Sequence, residues 1–320
     1  MTDNKCPRLL SASRNLKTFI WNGETNTFLG RTAVSWAKIV LYYVVFYAVL
    51  ASFCACLFAV FWQTIDLEQP KWQLRESLIG TNPGIGFCPM PPKAISDSAD
   101  SALIWTQPEN IAYWYDTVNK FLEGYINPKN YGNVDKSCSF DRPASKGKFC
   151  PFKVESLDNC SPGKTDQKYG YPHKKPCVFL KLNKIFNWTP RVFNETSIDQ
   201  LTDAEERATY RRMPEWLRNE IAITSDAHKR NMIWVSCEGE RPLDVENIGP
   251  VQYSPGHGFP AYYFPFKNVK GYKPPIVAVK FDQPKLGVLI SIECTVWAKN
   301  IFYDVKKAGG GSVHFKLMID

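Results

Sequence analysis

One uninterrupted apolar run constrains the fold of this chain more than any other feature of its sequence. No residue between Lys38 and Asp66 is charged, and the 24 residues from Ile39 to Trp62 would form a helix about 36 Å long. The hydrocarbon core of a bilayer is about 30 Å thick, so a helix of this length crosses it with some tilt. The sequence therefore predicts one membrane-spanning helix, which we place at residues 39–65.

A cleaved signal peptide and a buried core helix are the alternatives to a membrane span. A signal peptide begins within the first few residues and has an apolar region of about 7 to 15 residues. Here 38 mostly polar residues come first, and the apolar run is longer. The length of the run also favours a membrane span over a core helix.

The charges beside the run predict its orientation. Residues 1–38 carry six Lys or Arg and two acidic residues, a net charge of +4, whereas Asp66 and Glu68 follow the run. Cytoplasmic flanks carry the excess of Lys and Arg. We therefore expect a single-pass type II membrane protein, with a cytoplasmic tail at residues 1–38 and an extracellular domain at residues 66–320.

Cysteine usage agrees with an oxidising compartment. Seven of the ten cysteines fall in the predicted ectodomain: Cys88, Cys138, Cys150, Cys160, Cys177, Cys237 and Cys294. Three disulfides and one free thiol would account for them, with fifteen connectivities open to any six cysteines. Neighbour pairing would join 138 to 150 and 160 to 177 across short loops, and 237 to 294 between distant strands. Cys88, near the membrane, is the candidate free thiol.

Three N-glycosylation sequons are consistent with this topology, at Asn159, Asn187 and Asn194. The one at Asn187 is the weakest, because Pro190 follows it.

Residue periodicity predicts a mainly β ectodomain with one packed helix. Residues 66–105 are rich in Pro and Gly and indicate a stalk. A helix is predicted at residues 108–125 with a capping box of Thr106 and Glu109. Period-two strands follow, which predict an immunoglobulin-like sandwich over residues 106–320. Cys237 and Cys294 lie on the apolar faces of their strands, so a bond between them would cross from one sheet to the other.

A second helix is predicted in the sequence TDAEERATYRRM, with Thr202 and Glu205 as its capping box. Because its surface is highly charged, we expect it to be a solvated excursion.

No constellation of residues indicates catalysis. The four histidines, at positions 173, 228, 257 and 314, are scattered, without HExxH or zinc-like spacing. There is no GxSxG, no Walker loop and no glycine fingerprint. Basic and aromatic residues do not alternate in one stripe, which argues against a nucleic-acid partner. We therefore predict a binding protein without a catalytic residue, a metal or a cofactor.

The apolar run carries an aromatic stripe, which we define as Tyr43, Phe46 and Tyr47. Their spacing of three and four residues places them on one helical face, and small residues line other faces, which allow close helix approach in lipid. The alternative is an ordinary anchor with aromatic residues at the membrane interface.

Three segments carry a resemblance to a known family. FIWNGETNTFLGRTAVSWAKIVLYYVVFY closely resembles the membrane-entry segment of the beta subunits of the sodium/potassium-transporting ATPase and its gastric relative. YGYPHKKPCVFLKLNKIFNW is similar to the family's YGY, PCV and KLN sequence, and GFPAYYFPF with PPIVAVKF to its tyrosine-rich segment and late strand. The order of three cysteine pairs after one span also agrees. The charged helix after Thr202, the extra Cys88 and the short Cys138–Cys150 interval depart from the family.

The resemblance implies a non-catalytic plasma-membrane glycoprotein that helps a catalytic alpha subunit to fold, escorts it to the membrane and tunes its potassium affinity. It also implies a lipid bilayer around the span and a small single-span regulatory subunit as a further partner. On this basis we expect the aromatic stripe to contact the alpha subunit, together with Tyr262, Tyr263, Phe264 and Phe266. The alternative for these four residues is that they fill the core of the ectodomain. A type II adhesion or lectin-like receptor that acts without a pump is the alternative function.

Overall fold

The structure is a computed structural model, and it describes residues 19–23, 25–91, 102–126, 133–163, 165–303 and 310–320. Most of the predicted cytoplasmic tail, including Cys6, and residues 92–101 of the predicted stalk lie outside the described residues. The chain divides into two compact units, Met1–Leu67 and Glu68–Asp320, and each is described by itself.

The first unit consists of three short strands and one long helix. β1 (Trp21–Asn22), β2 (Thr27–Phe28) and β3 (Arg31–Thr32) form an antiparallel meander. The helix α1 (Ala33–Gln63) follows directly. It begins before the predicted Ile39, because the Thr32 side chain accepts a hydrogen bond from the backbone N–H of Ser35 at 3.4 Å and caps the helix there. α1 is long and apolar enough to cross a membrane, and none of its side chains is buried.

The second unit is rich in strands. Its strands are β4 (Ile85–Cys88), β5 (Leu103–Thr106), β6 (Cys177–Leu182), β7 (Met232–Gly239), β8 (Val251–Ser254), β9 (Gly258–Pro260), β10 (Ile276–Phe281), β11 (Ile290–Trp297) and β12 (Ser312–Ile319). Its helices are α2 (Ile111–Ile126), α3 (Ala204–Arg212), α4 (Glu215–Ile223) and α5 (Pro242–Ile248). One sheet has the order β4-β6-β10-β8 and the other β5-β12-β11-β7-β9. β5 and β12 are parallel, whereas the other pairs of neighbours are antiparallel.

The two sheets share one apolar core. In β11 the predicted alternation is present: Ile290, Ile292, Cys294 and Val296 are buried, and the residues between them are half-buried. Aromatic rings join the sheets, since Phe87 of β4 stacks on Phe315 of β12 with ring centroids 4.9 Å apart, and Phe281 of β10 lies 6.2 Å from the same ring. Such packing of period-two faces is the main source of the ectodomain's stability.

Helix α2 covers the outer face of the four-stranded sheet. Trp114, Val118 and Leu122 are buried along one side of it, and Phe121 lies 6.2 Å from Phe179 of β6. The predicted capping box was wrong, because Thr106 is the last residue of β5 and pairs with Ile319 of β12. The helix begins later, after Asn110, whose side chain accepts a hydrogen bond from the backbone of Gln107.

The charged segment after Thr202 is not a solvated excursion. α3 is capped by Asp203, which accepts a hydrogen bond from the Glu205 N–H at 2.8 Å, rather than by Thr202. With α4 it packs on the outer face of the five-stranded sheet, in a second core made of Phe193, Leu201, Tyr210, Met213, Leu217, Ile221, Trp234 and Trp297. The prediction was wrong because one side of α3, which carries Tyr210 and Glu206, is buried against this core.

A partly buried ion-pair network holds this helical layer in place. Glu206 of α3 is 8% exposed and pairs with Arg191, and Lys299 pairs with Glu195. The Lys299 Nζ also lies 3.7 Å from a Glu206 oxygen. A buried carboxylate is costly unless it is paired, so these cations explain why a charged helix can cover a sheet.

The disulfide Cys237–Cys294 lies within one sheet and does not join two sheets. Cys237 of β7 and Cys294 of β11 are directly opposite each other in neighbouring antiparallel strands, with Cα atoms 4.0 Å apart. The expectation of an inter-sheet bond was wrong because apolar alternation shows that both side chains point into the core but does not show which strands are neighbours.

Two further disulfides tie down loops. They are Cys138–Cys150 and Cys160–Cys177, with Cα atoms 5.8 and 6.0 Å apart. Just before the first loop, the Asp135 carboxylate accepts hydrogen bonds from the backbone N–H groups and hydroxyls of Ser137 and Ser145, and these donors hold the pKa of that carboxyl well below its usual range.

Cys88 is a free, buried thiol in β4. Burial raises the pKa of this thiol to about 12, so it stays protonated. Protonated and out of solvent, it is an inert thiol.

Candidate functional site

The aromatic stripe is a continuous outward-facing surface on α1. Tyr43 and Tyr47 stack with ring centroids 6.0 Å apart, and Phe46 meets Tyr47 edge to face at 5.4 Å. The three side chains are 50%, 47% and 59% exposed in the order of the chain. The structure therefore brings the predicted stripe together and leaves its rings available to lipid or to a neighbouring helix.

Tyr42 extends the stripe and was missed by the sequence reasoning. Its ring stacks on Phe46 at 6.2 Å and meets Tyr43 edge to face at 5.5 Å. The signal was present, because Tyr42 and Phe46 are also four residues apart. The resulting patch contains four aromatic rings.

The tyrosine-rich segment, which we define as residues 261–266, follows β9 in the second unit. It begins with the short 3-10 turn Ala261–Tyr263, and its members Tyr262, Tyr263, Phe264 and Phe266 are all half-buried. A half-buried ring is held in place by its neighbours but still exposes part of its surface. The contacts that the four rings make divide the segment into an inner and an outer part.

Tyr263 and Phe264 form the inner part. Both pack against the main core; the Tyr263 ring lies 6.0 Å from Phe152, and the Phe264 ring meets Trp188 edge to face at 5.7 Å. The Tyr272 hydroxyl donates a hydrogen bond to the Tyr263 carbonyl at 3.3 Å. Burial, with the neighbouring Tyr262, raises the pKa of the Tyr263 phenol. These two residues therefore position the segment.

Tyr262 and Phe266 form the outer part. Tyr262 meets Phe140 edge to face at 5.4 Å and lines a cleft of about 310 Å³ beside the Cys138–Cys150 loop. Phe266 lies 5.1 Å from Tyr272, and its carbonyl accepts a hydrogen bond from the Asn187 N–H at 2.8 Å. The contacts of Tyr262 and Phe266 thus fix their positions, while part of each ring stays exposed.

A lysine cluster borders the outer part and was missed by the sequence reasoning. The Lys184 Nζ lies 5.2 Å from the centre of the Phe266 ring and 5.6 Å from that of Tyr272. Burial, followed by the positive charges of Lys273 and Lys181, lowers the pKa of Lys184. A cluster of positive charges favours an acidic partner. Lys181 and Lys184 are neighbours in the sequence, but spacing did not show that Lys273 and the Phe266 ring lie beside them.

The three sequon asparagines, Asn159, Asn187 and Asn194, are exposed. Asn159 precedes a disulfide-bonded cysteine, and Asn187 adopts a left-handed backbone with φ of 58°.

The histidines lie in unrelated environments. His228 pairs with Asp141, and the His314 ring lies 2.9 Å from a Glu240 oxygen. His257 packs between Trp216 and Tyr253. Across the part of the chain that the structure describes, no group of three or more His, Cys, Asp or Glu side chains has a metal-binding arrangement.

Comparisons with known proteins agree on one family. The model of the sodium/potassium ATPase beta chain matches residues 7–315. Two Drosophila melanogaster proteins, sodium/potassium-transporting ATPase subunits beta-2 and beta-1, are 42% identical over 316 residues and 38% identical over 303 residues. The alignments span 96% and 94% of this chain and 92% and 91% of those relatives. The Homo sapiens subunit beta-2 is 29% identical over 318 residues, which span 95% of this chain and 93% of the relative. The chain belongs to the sodium/potassium ATPase beta chain family.

Proposed function

We propose that this chain is the non-catalytic beta subunit of a sodium/potassium-transporting P-type ATPase. In this role it helps the catalytic alpha subunit to fold, accompanies it to the membrane and tunes its affinity for potassium. The observation that carries the proposal is the family match over residues 7–315. The apolar helix α1 and the β-rich second unit are in the order that such a subunit requires.

The proposed topology is type II in the plasma membrane, with the amino terminus cytoplasmic and residues 66–320 outside. The net charge of +4 before the span supports this orientation, and so do the exposed sequons and the disulfides, which belong to an oxidising compartment. Two sheets around one core support an immunoglobulin-like sandwich as the ectodomain fold.

The two aromatic surfaces are the proposed contacts with the alpha subunit. The aromatic stripe offers its exposed rings to membrane helices of the pump, since tyrosine hydroxyls in lipid need polar partners. Tyr262 and Phe266, with the inner residues Tyr263 and Phe264 as their support, offer a contact to an extracellular loop. A small single-span regulatory subunit is a further proposed partner, which rests on the family likeness alone.

Co-purification tests the proposal directly. The full chain carrying an affinity tag is expressed in cells that contain a pump, extracted in mild detergent and purified, and the chains recovered with it are identified. We expect a stoichiometric P-type ATPase catalytic chain. Recovery of this chain alone, with an ectodomain that binds cell surfaces or glycans, would instead favour an adhesion or lectin-like receptor.

Glycan removal tests the topology in the same preparation. An N-glycosidase should increase the gel mobility of the chain, and replacing Asn159 and Asn194 by Gln should reproduce most of that shift. An unchanged mobility, together with cleavage of the ectodomain by protease added to the cytosolic side of sealed microsomes, would reverse the orientation.

A further inference from the structure

The meander before α1 and the residues that flank it expose a dense set of large apolar side chains. These are Phe19, Ile20, Trp21, Phe28, Leu29 and Val34, and they are 59%, 44%, 59%, 45%, 38% and 66% exposed. So many exposed apolar groups in one short segment mark a contact surface rather than a solvated one. Trp, here Trp21, is enriched at the water–lipid interface.

Contacts within the first unit bring this surface back beside the helix. The Trp36 indole N–H donates a hydrogen bond to the Phe28 carbonyl at 2.8 Å, and the two rings lie 6.1 Å apart. The Leu29 N–H donates to the Ile20 carbonyl at 3.1 Å, which ties the beginning of the meander to its last turn. The meander is therefore fixed at the level of the first turns of α1.

This level corresponds to the headgroup layer of a bilayer. Trp36 precedes Ile39, the first residue of the apolar run, by about 4.5 Å along a helix axis. The layer between the hydrocarbon core and bulk water is about 5–7 Å thick on each side. With the apolar run in the hydrocarbon core, Phe28 lies within the headgroup layer.

The charges of the segment suit an anionic surface. From Arg14 to Lys38 the sequence contains four basic residues and one acidic residue, Glu24. Arg31 and Lys38 are both exposed. Basic residues next to a span are attracted to anionic lipids at about 1 kcal/mol each.

We propose that the meander of β1, β2 and β3 docks onto the membrane leaflet through which α1 enters, with its apolar side chains in the headgroup layer and Arg31 and Lys38 on anionic lipid headgroups. The occupant of the exposed surface is thus lipid. This inference requires that α1 crosses the membrane, as proposed above, but it does not require a pump. The docked meander fixes the height and rotation of α1, which an apolar helix alone does not set.

Spin-label accessibility in nanodiscs measures the depth of the meander. The full chain is prepared with Cys6, Cys54, Cys56 and Cys88 replaced by Ala and with a nitroxide attached through Ile20→Cys. Two reference labels, Val44→Cys within the apolar run and Lys285→Cys on an exposed ectodomain turn, define the lipid and water limits. The collision rate with a water-soluble nickel complex should be severalfold lower for the Ile20 label than for the Lys285 label. For the Ile20 label it should also be lower in nanodiscs of phosphatidylcholine with phosphatidylserine than in nanodiscs of phosphatidylcholine alone.

Variants separate the apolar and electrostatic contributions. The double replacement Trp21→Ser and Phe28→Ser should raise the nickel accessibility of the Ile20 label to that of the water reference, whereas Thr25→Ser, the matched polar control, should leave it unchanged. Arg31→Gln should reduce the difference between the two lipid compositions.

Three outcomes would overturn the proposal. They are equal nickel accessibility of the Ile20 and Lys285 labels in both lipids, an unchanged depth after the double replacement, and protection that appears only when a catalytic subunit is co-expressed. The last would make the surface a protein interface. Glycosylation of the ectodomain reports membrane insertion independently, so failure of the span and failure of docking give different results.

Discussion

Removing the Cys237–Cys294 disulfide should destabilise the ectodomain more than removing either of the other two. Its cysteines are 57 residues apart, against separations of 12 and 17 for the others. The chain-entropy model then gives about 4 kcal/mol for this bond and about 3 kcal/mol for each of the others. Cys237 and Cys294 are also almost fully buried, at 4% and 0% exposure, so Ala at both positions leaves a small cavity that costs roughly a further 1 kcal/mol.

The expected change in melting temperature is large enough to measure. For a domain of this size a loss of 1 kcal/mol lowers the melting temperature by about 2–4 °C, so a loss of about 5 kcal/mol corresponds to roughly 10–20 °C. The double variant Cys237→Ala with Cys294→Ala and the control Cys138→Ala with Cys150→Ala are each compared with the parent chain in detergent. Unfolding is followed by near-ultraviolet circular dichroism, and peptide mapping without reductant verifies the remaining bonds.

The test is which of the two double variants has the lower melting temperature. If the Cys138–Cys150 variant melts at the same temperature as the Cys237–Cys294 variant or below it, loop length is not the deciding quantity. The register of β7 and β11 would then hold these strands together without the covalent bond.

Three further results are expected. Tyr262→Ser should reduce recovery of the catalytic subunit and change the melting temperature by less than about 2 °C, whereas Tyr263→Ser, at the core, should lower it by about 2–8 °C; equal losses would contradict the division of the segment. Leu at all three positions of the aromatic stripe should leave glycosylation unchanged but shift the potassium concentration for half-maximal pump activity; an unchanged curve with full recovery of the complex would leave the stripe as an aromatic belt at the bilayer edge. Asp135→Asn should lower the melting temperature near neutral pH, because the folded state lowers the pKa of that carboxyl. The difference in melting temperature between the parent chain and the variant should be complete above about pH 4, the pKa of the carboxyl in the unfolded chain. It should shrink as the pH falls towards the lowered pKa of the folded state. A difference that stays constant down to about pH 3 would refute this prediction.

Local patterns in the sequence predicted single elements well and their neighbours poorly. The alternation in β11 and the helical spacing of α2 are both present in the structure, since each depends on one face meeting one core. The pairing of β7 with β11 was not predictable in this way, because alternation gives the direction of each side chain but not the partner strand.

The sequence contained a signal for the layer formed by α3 and α4, although periodicity alone does not reveal it. Trp234 and Trp297 lie on the face opposite Cys237 and Cys294, and large apolar residues on both faces of a strand indicate that both faces are covered. Counting the charges of α3 hid this, because its covered side carries Tyr210 together with the charged Glu206.

The two candidate contact surfaces differ in how much of their geometry could be predicted from the sequence. The aromatic stripe depends on helical spacing, so its geometry followed from the sequence. The surroundings of Tyr262 and Phe266 did not, because Phe140 and Lys184 come from distant parts of the chain.

The parallel pairing of β5 with β12 has a consequence for biosynthesis. β12 lies between β5 and β11 and is the second strand of its five-stranded sheet, so that sheet stays open until residue 319 has emerged from the ribosome. Contacts between residues more than two hundred positions apart form slowly, and the incomplete sheet has an unpaired edge in the meantime. Until β12 is inserted between β5 and β11, this unpaired edge is a site at which chaperones can bind the folding chain.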